Sequence, residues 1–213
     1  MISESIPPNP ARSPGRPREF DMGAVLDGAV RIFRERGYHA TSITDLSDAT
    51  GLTAGSIYKA FQDKRGLFLA AFDRYVDERG QDLRRRLDIQ PDAREKIRAV
   101  LLFYADSSQG EQGRLGCLVV GSATVLSTFD ADVAARIEAS LRRIQDLLRT
   151  LLREGQRDGS IAADISVSAM SSVLLAVLQG FRVIGKSGRT AKEMRRAADE
   201  AMRLLGQPPG APS

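Results

Sequence analysis

Apolar residues recur at helical spacing along almost the whole of this chain. Met22, Leu26, Ala29 and Phe33 form one stripe, and Phe68, Phe72, Tyr75 and Val76 a second, on a segment predicted to run from Lys64 to about Leu87. Val133, Ile137, Leu141, Ile144, Leu148 and Leu151 trace a third. Met170, Leu174, Val177 and Phe181 form a fourth, and Met194, Ala198, Ala201 and Leu205 a fifth. A period of roughly 3.6 residues lines up one face of a helix and scatters a strand's faces, so the fold class read from these stripes is all-α. The ambiguous stretch is Cys117 to Phe129, where Val119, Val120, Thr124 and Val125 are β-branched. A lone strand there would lack a partner, and a buried helix is the expectation.

Punctuation agrees with the stripes. Ser42, Asp92 and Thr190 each precede an acid by three residues, as in a capping box, and Asp21 and Asp63 stand where N-caps are needed. Gly37, Gly51 and Gly159 follow helical stretches as C-terminal stops. Residues 1–18 hold five prolines and almost nothing apolar, and read as a disordered arm; residues 207–213 read as a flexible tail. A long helix beginning at Lys64 is expected to join a small N-terminal unit to a larger helical one.

Composition removes several classes. A single cysteine, Cys117, forbids an intrachain disulfide and fits a reducing compartment. The first twenty residues lack the apolar centre of a signal peptide, and no apolar run was expected to reach the roughly 18 residues of a membrane span. The expectation is a cytoplasmic protein with no membrane partner. One histidine, His39, and one distant cysteine offer neither a metal site nor a triad, so neither a metal nor a cofactor is expected, and a small helical enzyme is the weaker alternative. The formal net charge of +4 permits nucleic acid as a partner without demanding it. Arg84, Arg85 and Arg86 read as a solvated helix face.

The informative segment is Thr41–Phe61, TSITDLSDATGLTAGSIYKAF. It reads as a helix over about Ile43–Thr50 with Ile43, Leu46 and Ala49 inward, a turn at Gly51, Leu52 filling the corner, and a second helix capped by Thr53. Ile57 and Phe61 would face inward. Ala54, Gly55, Ser56, Tyr58 and Lys59 would face outward. Small side chains at the start of a helix let it approach base edges in a major groove about 12 Å wide. Its free amides and dipole favour phosphate. Tyr58, Lys59, Lys64, Thr41 and Ser42 are candidate backbone contacts on double-stranded DNA, and Arg16 and Arg18 in the arm are candidates for phosphate or an adjacent minor groove.

The run from Asp21 to Phe72, with GYHATSITDLSDATGLTAGSIYKAFQDKRGLF at its heart, resembles the DNA-binding domain of TetR family regulators. GRLGCLVVGSA and LQGFRVIGKSG resemble one branch of that family more weakly. The resemblance implies a helix-turn-helix domain over 19–65 and a larger helical ligand-binding and dimerisation domain over 66–206. It implies a homodimer built by the last two helices, about Ser166–Ile184 and Ala191–Leu205. The interface would draw on Met170, Val173, Leu174, Val177, Phe181, Met194, Ala198, Ala201, Met202 and Leu205, with Gly180 and Gly185 permitting close approach. It also implies a small-molecule effector in a pocket for which Phe72, Phe103, Tyr104, Cys117, Phe129 and Leu178 are candidates; sequence cannot separate pocket lining from core. The function it implies is a repressor released from a palindromic operator by that effector. Cys117 has two readings, a small buried hydrophobe or the sensor of a thiol-responsive repressor, and the sequence puts no cation beside it except Arg114.

Overall fold

The computed structural model describes residues 21–128 and 130–206, and these form ten α-helices with no strand among the described residues. Helices α1 (Met22–Ala40), α2 (Ile43–Thr50) and α3 (Ala54–Phe61) make the N-terminal head. Helix α4 (Lys64–Leu87) leads out of it. Helices α5 (Ala93–Asp106), α6 (Gly110–Leu115), α7 (Leu118–Ala123), α8 (Ala131–Asp158), α9 (Val167–Ile184) and α10 (Ala191–Ala201) follow.

The caps sit where the sequence demands them. Asp21, Asp63, Asp92 and Thr190 each accept an amide of the first turn, and Ser42–Asp45 and Thr190–Glu193 close as full capping boxes. Gly37 breaks α1 near its end with φ 77°, a backbone open to glycine at no steric cost. The expected buried helix after Cys117 is shorter than predicted: α7 ends at Ala123, and turns carry the chain on to Thr128.

Two apolar cores result, and α4 belongs to both. Its first half puts Leu67, Phe68, Ala71, Phe72 and Tyr75 among Phe33, Leu46 and Ile57 of the head, together with Leu118 and Val119 of α7 and Val133 and Ile137 of α8. Its second half adds Leu83 and Leu87 to a core of α5, α8, α9 and α10 that includes Ile97, Leu101, Leu152, Leu174 and Leu178. At about 1.5 Å per residue, the 24 residues of α4 are long enough to tie head to body. A second tie is ionic: Arg65 at the start of α4 holds Asp130 at 2.6 Å and Asp132 at 2.6 Å, before and within the first turn of α8.

The expected dimer surface needs correction. Leu174, Phe181, Met194, Ala198, Ala201, Met202 and Leu205 are all buried within this one chain, because α10 packs on α5 and α9 packs on α8 and α5. Met170 and Val177 are half-buried against the same core. Only Val173 of the proposed set is exposed, on a second face of α9 that also carries exposed Val183 and Ile184 about three turns further along. Gly185 does permit a close approach, but to this chain's own Ser108, whose carbonyl would lie 2.3 Å from an added Cβ; at Gly180 a Cβ would meet nothing. Being apolar on both faces also makes Val167–Ser187 long and apolar enough to cross a membrane, with mean hydropathy 1.7, contrary to the sequence expectation. Buried Arg182 lies within that stretch, and its inner face is filled by the protein core.

Candidate nucleic-acid interface and effector cavity

The head is built to hold α3 by its back. Leu46 and Ile57 are fully buried, Leu52 fills the corner, and Gly51 closes α2 in the left-handed region at φ 70°. At Gly28 an added Cβ would lie 2.2 Å from the carbonyl of Ala49, so α1 and α2 touch backbone to backbone. At Gly66 it would lie 1.9 Å from the carbonyl of Phe61, which fixes the angle between α3 and α4. Gln62, between those helices, has φ 71° without being glycine, at a cost of about 1 kcal/mol.

The front of α3 is open. Thr53, Ala54, Gly55, Tyr58 and Lys59 are exposed and Ser56 is partly so, as the sequence predicts. Thr53 Oγ1 accepts the Ser56 amide at 3.2 Å and shares a 2.9 Å hydrogen bond with the Ser56 hydroxyl. A Cβ at Gly55 would meet nothing within 4 Å, so the fold does not require glycine there. The surface these residues make is small at its leading end and bears a phenol and an ammonium one turn on.

Two of the expected phosphate donors are placed differently. Thr41 is buried and its hydroxyl donates to the Gly37 carbonyl at 2.6 Å, so it closes the end of α1 and does not face outward. Lys64 turns inward too: its ammonium donates to the carbonyls of Tyr38 and Thr41 at 3.0 and 2.9 Å and lies 4.4 Å over the Tyr38 ring. A cation there satisfies carbonyls that the end of α1 leaves orphaned. Ser42 stays exposed, with its hydroxyl engaged by Asp45 at 2.7 Å. Arg16 and Arg18 lie outside the described residues.

Of the pocket candidates, Phe103, Tyr104 and Cys117 meet at a small cavity of about 60 Å³ between α4, α5, α8 and α9. Phe72 and Leu178 belong to the two cores instead, and Phe129 lies outside the described residues. Three arginines that sequence reasoning missed gather around Tyr75, and one of them, Arg79, lines this cavity. Arg79 lies over the rings of Phe103, Tyr75 and Tyr104, at 4.6, 5.6 and 5.6 Å. Arg34 reaches from α1, its guanidinium 5.5 Å from the Tyr75 ring centre. Arg182 is 2 % exposed and donates to Ser108 Oγ, to the Tyr75 hydroxyl and to the Gly116 carbonyl, each at 3.2 Å, and also to the Ser107 carbonyl. Gly116 also accepts from Arg34 Nε at 2.9 Å, so one carbonyl joins the head helix α1 to α9.

The thiol of Cys117 belongs to the same group. The Tyr75 hydroxyl donates to its sulfur at 3.6 Å. Burial pushes the thiol up, but the positive charge of Arg182, the Val120 amide and the charge of Arg79 outweigh it and hold the thiol below its ordinary value. Burial pushes Tyr104 up to about 12. No periodicity could have revealed these cations, because residues 79 and 182 are brought beside Cys117 only by the packing of α4 and α9 against α7.

Comparison with known proteins finds the same two-part organisation. The family described as bacterial regulatory proteins, tetR family, matches residues 25–71, and the tetracyclin repressor-like C-terminal domain matches residues 93–201. The HTH-type transcriptional repressor ComR of Escherichia coli K12 is 29% identical over 194 residues, which is 91% of this chain and 92% of that protein. A cysteine mutant of the TetR family regulator CifR, complexed with 26bp double-strand operator DNA, superposes with a TM-score of 0.80 at 30% identity, covering 90% of this chain and 100% of that one. The reduced form of NemR from E. coli shares the fold, with a TM-score of 0.74 at 20% identity over 87% of this chain and 97% of that one.

Proposed function

We propose that this chain, which belongs to the tetR family of bacterial regulatory proteins, represses its target from a palindromic operator and leaves that operator when a small effector occupies the cavity beside Tyr75. It is a DNA-binding transcriptional regulator. The observation that carries the operator reading is the front of α3, whose exposed Ala54, Gly55 and Ser56 are small enough to enter a major groove while Tyr58 and Lys59 reach the backbone. Two copies are needed to read a palindrome, with recognition helices roughly 34–36 Å apart. The exposed face of α9 with Val173, Val183 and Ile184 is the surface we assign to that pairing.

Release follows from the Gly116 carbonyl. Arg34 of α1 and Arg182 of α9 both hold it, and Arg182 also holds Tyr75 of α4. An effector that prefers a displaced Tyr75 or Arg182 shifts α1, and with it the spacing of the two heads, by its differential affinity for the two shapes. The test is a fluorescence-anisotropy titration of the purified protein on the inverted repeat beside its gene and on random duplex. The expected result is tight binding to the repeat alone, by a dimer. Equal affinity for random duplex, or a monomer at binding concentrations, overturns the reading.

The cations around Cys117 favour a second reading, in which the thiol is the sensor. The group is held toward the thiolate by Arg182 and Arg79, and the thiolate is the reactive form. Cys117→Ser titrated on the same repeat, with and without peroxide, separates the two: release lost in the variant supports the thiol, and release unchanged removes it.

A further inference from the structure

The cavity beside Tyr75 is lined by Arg79 and Arg143 and by no carboxylate; Arg143 stands 3.9 Å from Asp77, and Arg79 has no such partner. Arg182 and Arg34 approach from the Tyr75 side, one on its hydroxyl and one beside its ring. Among the described residues, Arg34, Arg79 and Arg182 form no ion pair with any carboxylate, whereas the solvent-facing arginines of α4 and α8 are paired in plenty. Two guanidinium nitrogens here are buried without a hydrogen-bond partner, Arg79 Nη2 and Arg182 Nε. A buried donor left unmade is costly, and a buried unbalanced charge more so. The three rings around Arg79 offset part of that cost but supply no acceptor.

From this we infer that the effector is an organic monocarboxylate, its carboxylate seated on the free edge of Arg79 and its apolar part against Leu83, Val119, Leu141 and Ile144. The inference rests on the effector reading above and names the chemical class that reading leaves open. A planar guanidinium matches a carboxylate in geometry as well as charge. The walls are apolar, so a singly charged anion with a hydrocarbon body fits where a strongly hydrated dianion would lose too much solvation. Size narrows the class: about 60 Å³ is well below the roughly 150 Å³ that takes a benzene ring, so it seats a carboxylate with one or two carbons and no more. A longer chain has an exit, because Gly80, Leu83, Arg143 and Ile144 also line the groove between α4 and α8, where Arg143 and Asp77 stand 3.9 Å apart.

The test is thermal unfolding of the full-length protein with 10 mM acetate or propionate, set against acetamide, propionamide, chloride and inorganic phosphate at matched ionic strength. We expect at least one acid to raise the midpoint by about 3 °C or more, its amide to raise it by less than about 1 °C, and the acid's effect to vanish in Arg79→Met and persist in Cys117→Ser. Equal shifts from acid and amide overturn the inference, as does a larger shift from phosphate, or no shift from either acid. The acid–amide contrast in the unaltered protein decides the matter even if Arg79→Met does not fold. Operator titration of the same sample keeps the two readings apart. Intact operator binding with no response to acids removes only the ligand class, whereas loss of operator preference removes the regulator reading itself.

Discussion

The head and the body of this protein treat polar groups in opposite ways. In the head, short side chains cap helix ends at the surface, and the one inward ammonium, Lys64, lands on two carbonyls that need it. In the body, a whole guanidinium is buried at Arg182 and another half-buried at Arg79, and each keeps a donor without a partner. The head is therefore a satisfied clamp for α3, while the body holds unmet hydrogen-bonding capacity at Arg182 and at Arg79, which lines the cavity beside Tyr75. A part that must present one surface to DNA gains from the first arrangement. On the effector reading proposed above, the body gains from the second, because a ligand that meets a free donor favours the shape in which it does so.

The largest test of that contrast is Arg182→Met. It removes donors from the Ser107 carbonyl, the Ser108 hydroxyl and the Tyr75 hydroxyl, all inside the fold, and should cost about 3 kcal/mol in urea unfolding. Unchanged or increased stability would mean that desolvation of the cation already cancels those bonds, and the contrast would be sharper still. Next comes Gly28→Ala in the head. Its Cβ would press into the Ala49 carbonyl, so we expect about 2 kcal/mol of destabilisation and weakened operator binding together. A stabilised variant would show that α1 and α2 are not rigidly seated.

Tyr58→Ala should separate the functions cleanly. The side chain is 51% exposed, so stability should stay within about 0.5 kcal/mol while operator affinity falls roughly tenfold at all sequences. Wild-type affinity would remove Tyr58 from the DNA surface. The smallest effect concerns the ionic tie between head and body. Arg65 holds Asp130 well below the usual carboxylate range, at about 2. A depressed carboxylate stabilises the fold above its unfolded pKa and loses that contribution as protons bind. Stability from this pair should fade between about pH 4 and pH 2, and Asp130→Asn should flatten the acid limb of a pH–stability curve. An unaltered acid limb would mean that the tie does not couple to folding.

The helix-turn-helix was legible from sequence because its logic is local. Caps three residues apart, Gly51 at the turn and the alternation of Leu46, Leu52 and Ile57 with exposed neighbours are all set within twenty residues. The exposed start of α3 follows from the same register. Thr41 and Lys64 turn inward for a reason that sequence does not display, because a hydroxyl or ammonium beside an exposed helix reads as outward until the end of α1 is known to need closing. The burial of most residues expected at a dimer surface has a related cause. An apolar stripe says that a face is buried, not against what, and α9 carries two such faces, one of them filled by α8 and α5.

By itself, then, the sequence determined that the chain is helical, where most helices begin, and which short segment forms the helix-turn-helix with an exposed, small-residue start, since each of these depends on neighbours within a turn or two. Only the tertiary structure decided what stands beside Cys117. Arg34, Arg79 and Arg182 come from three helices scattered along the chain, and their meeting around Tyr75 depends on how α1, α4 and α9 cross. Charge carries no periodicity that would announce such a meeting, and burial, which gives it its energy, exists only once the helices have packed.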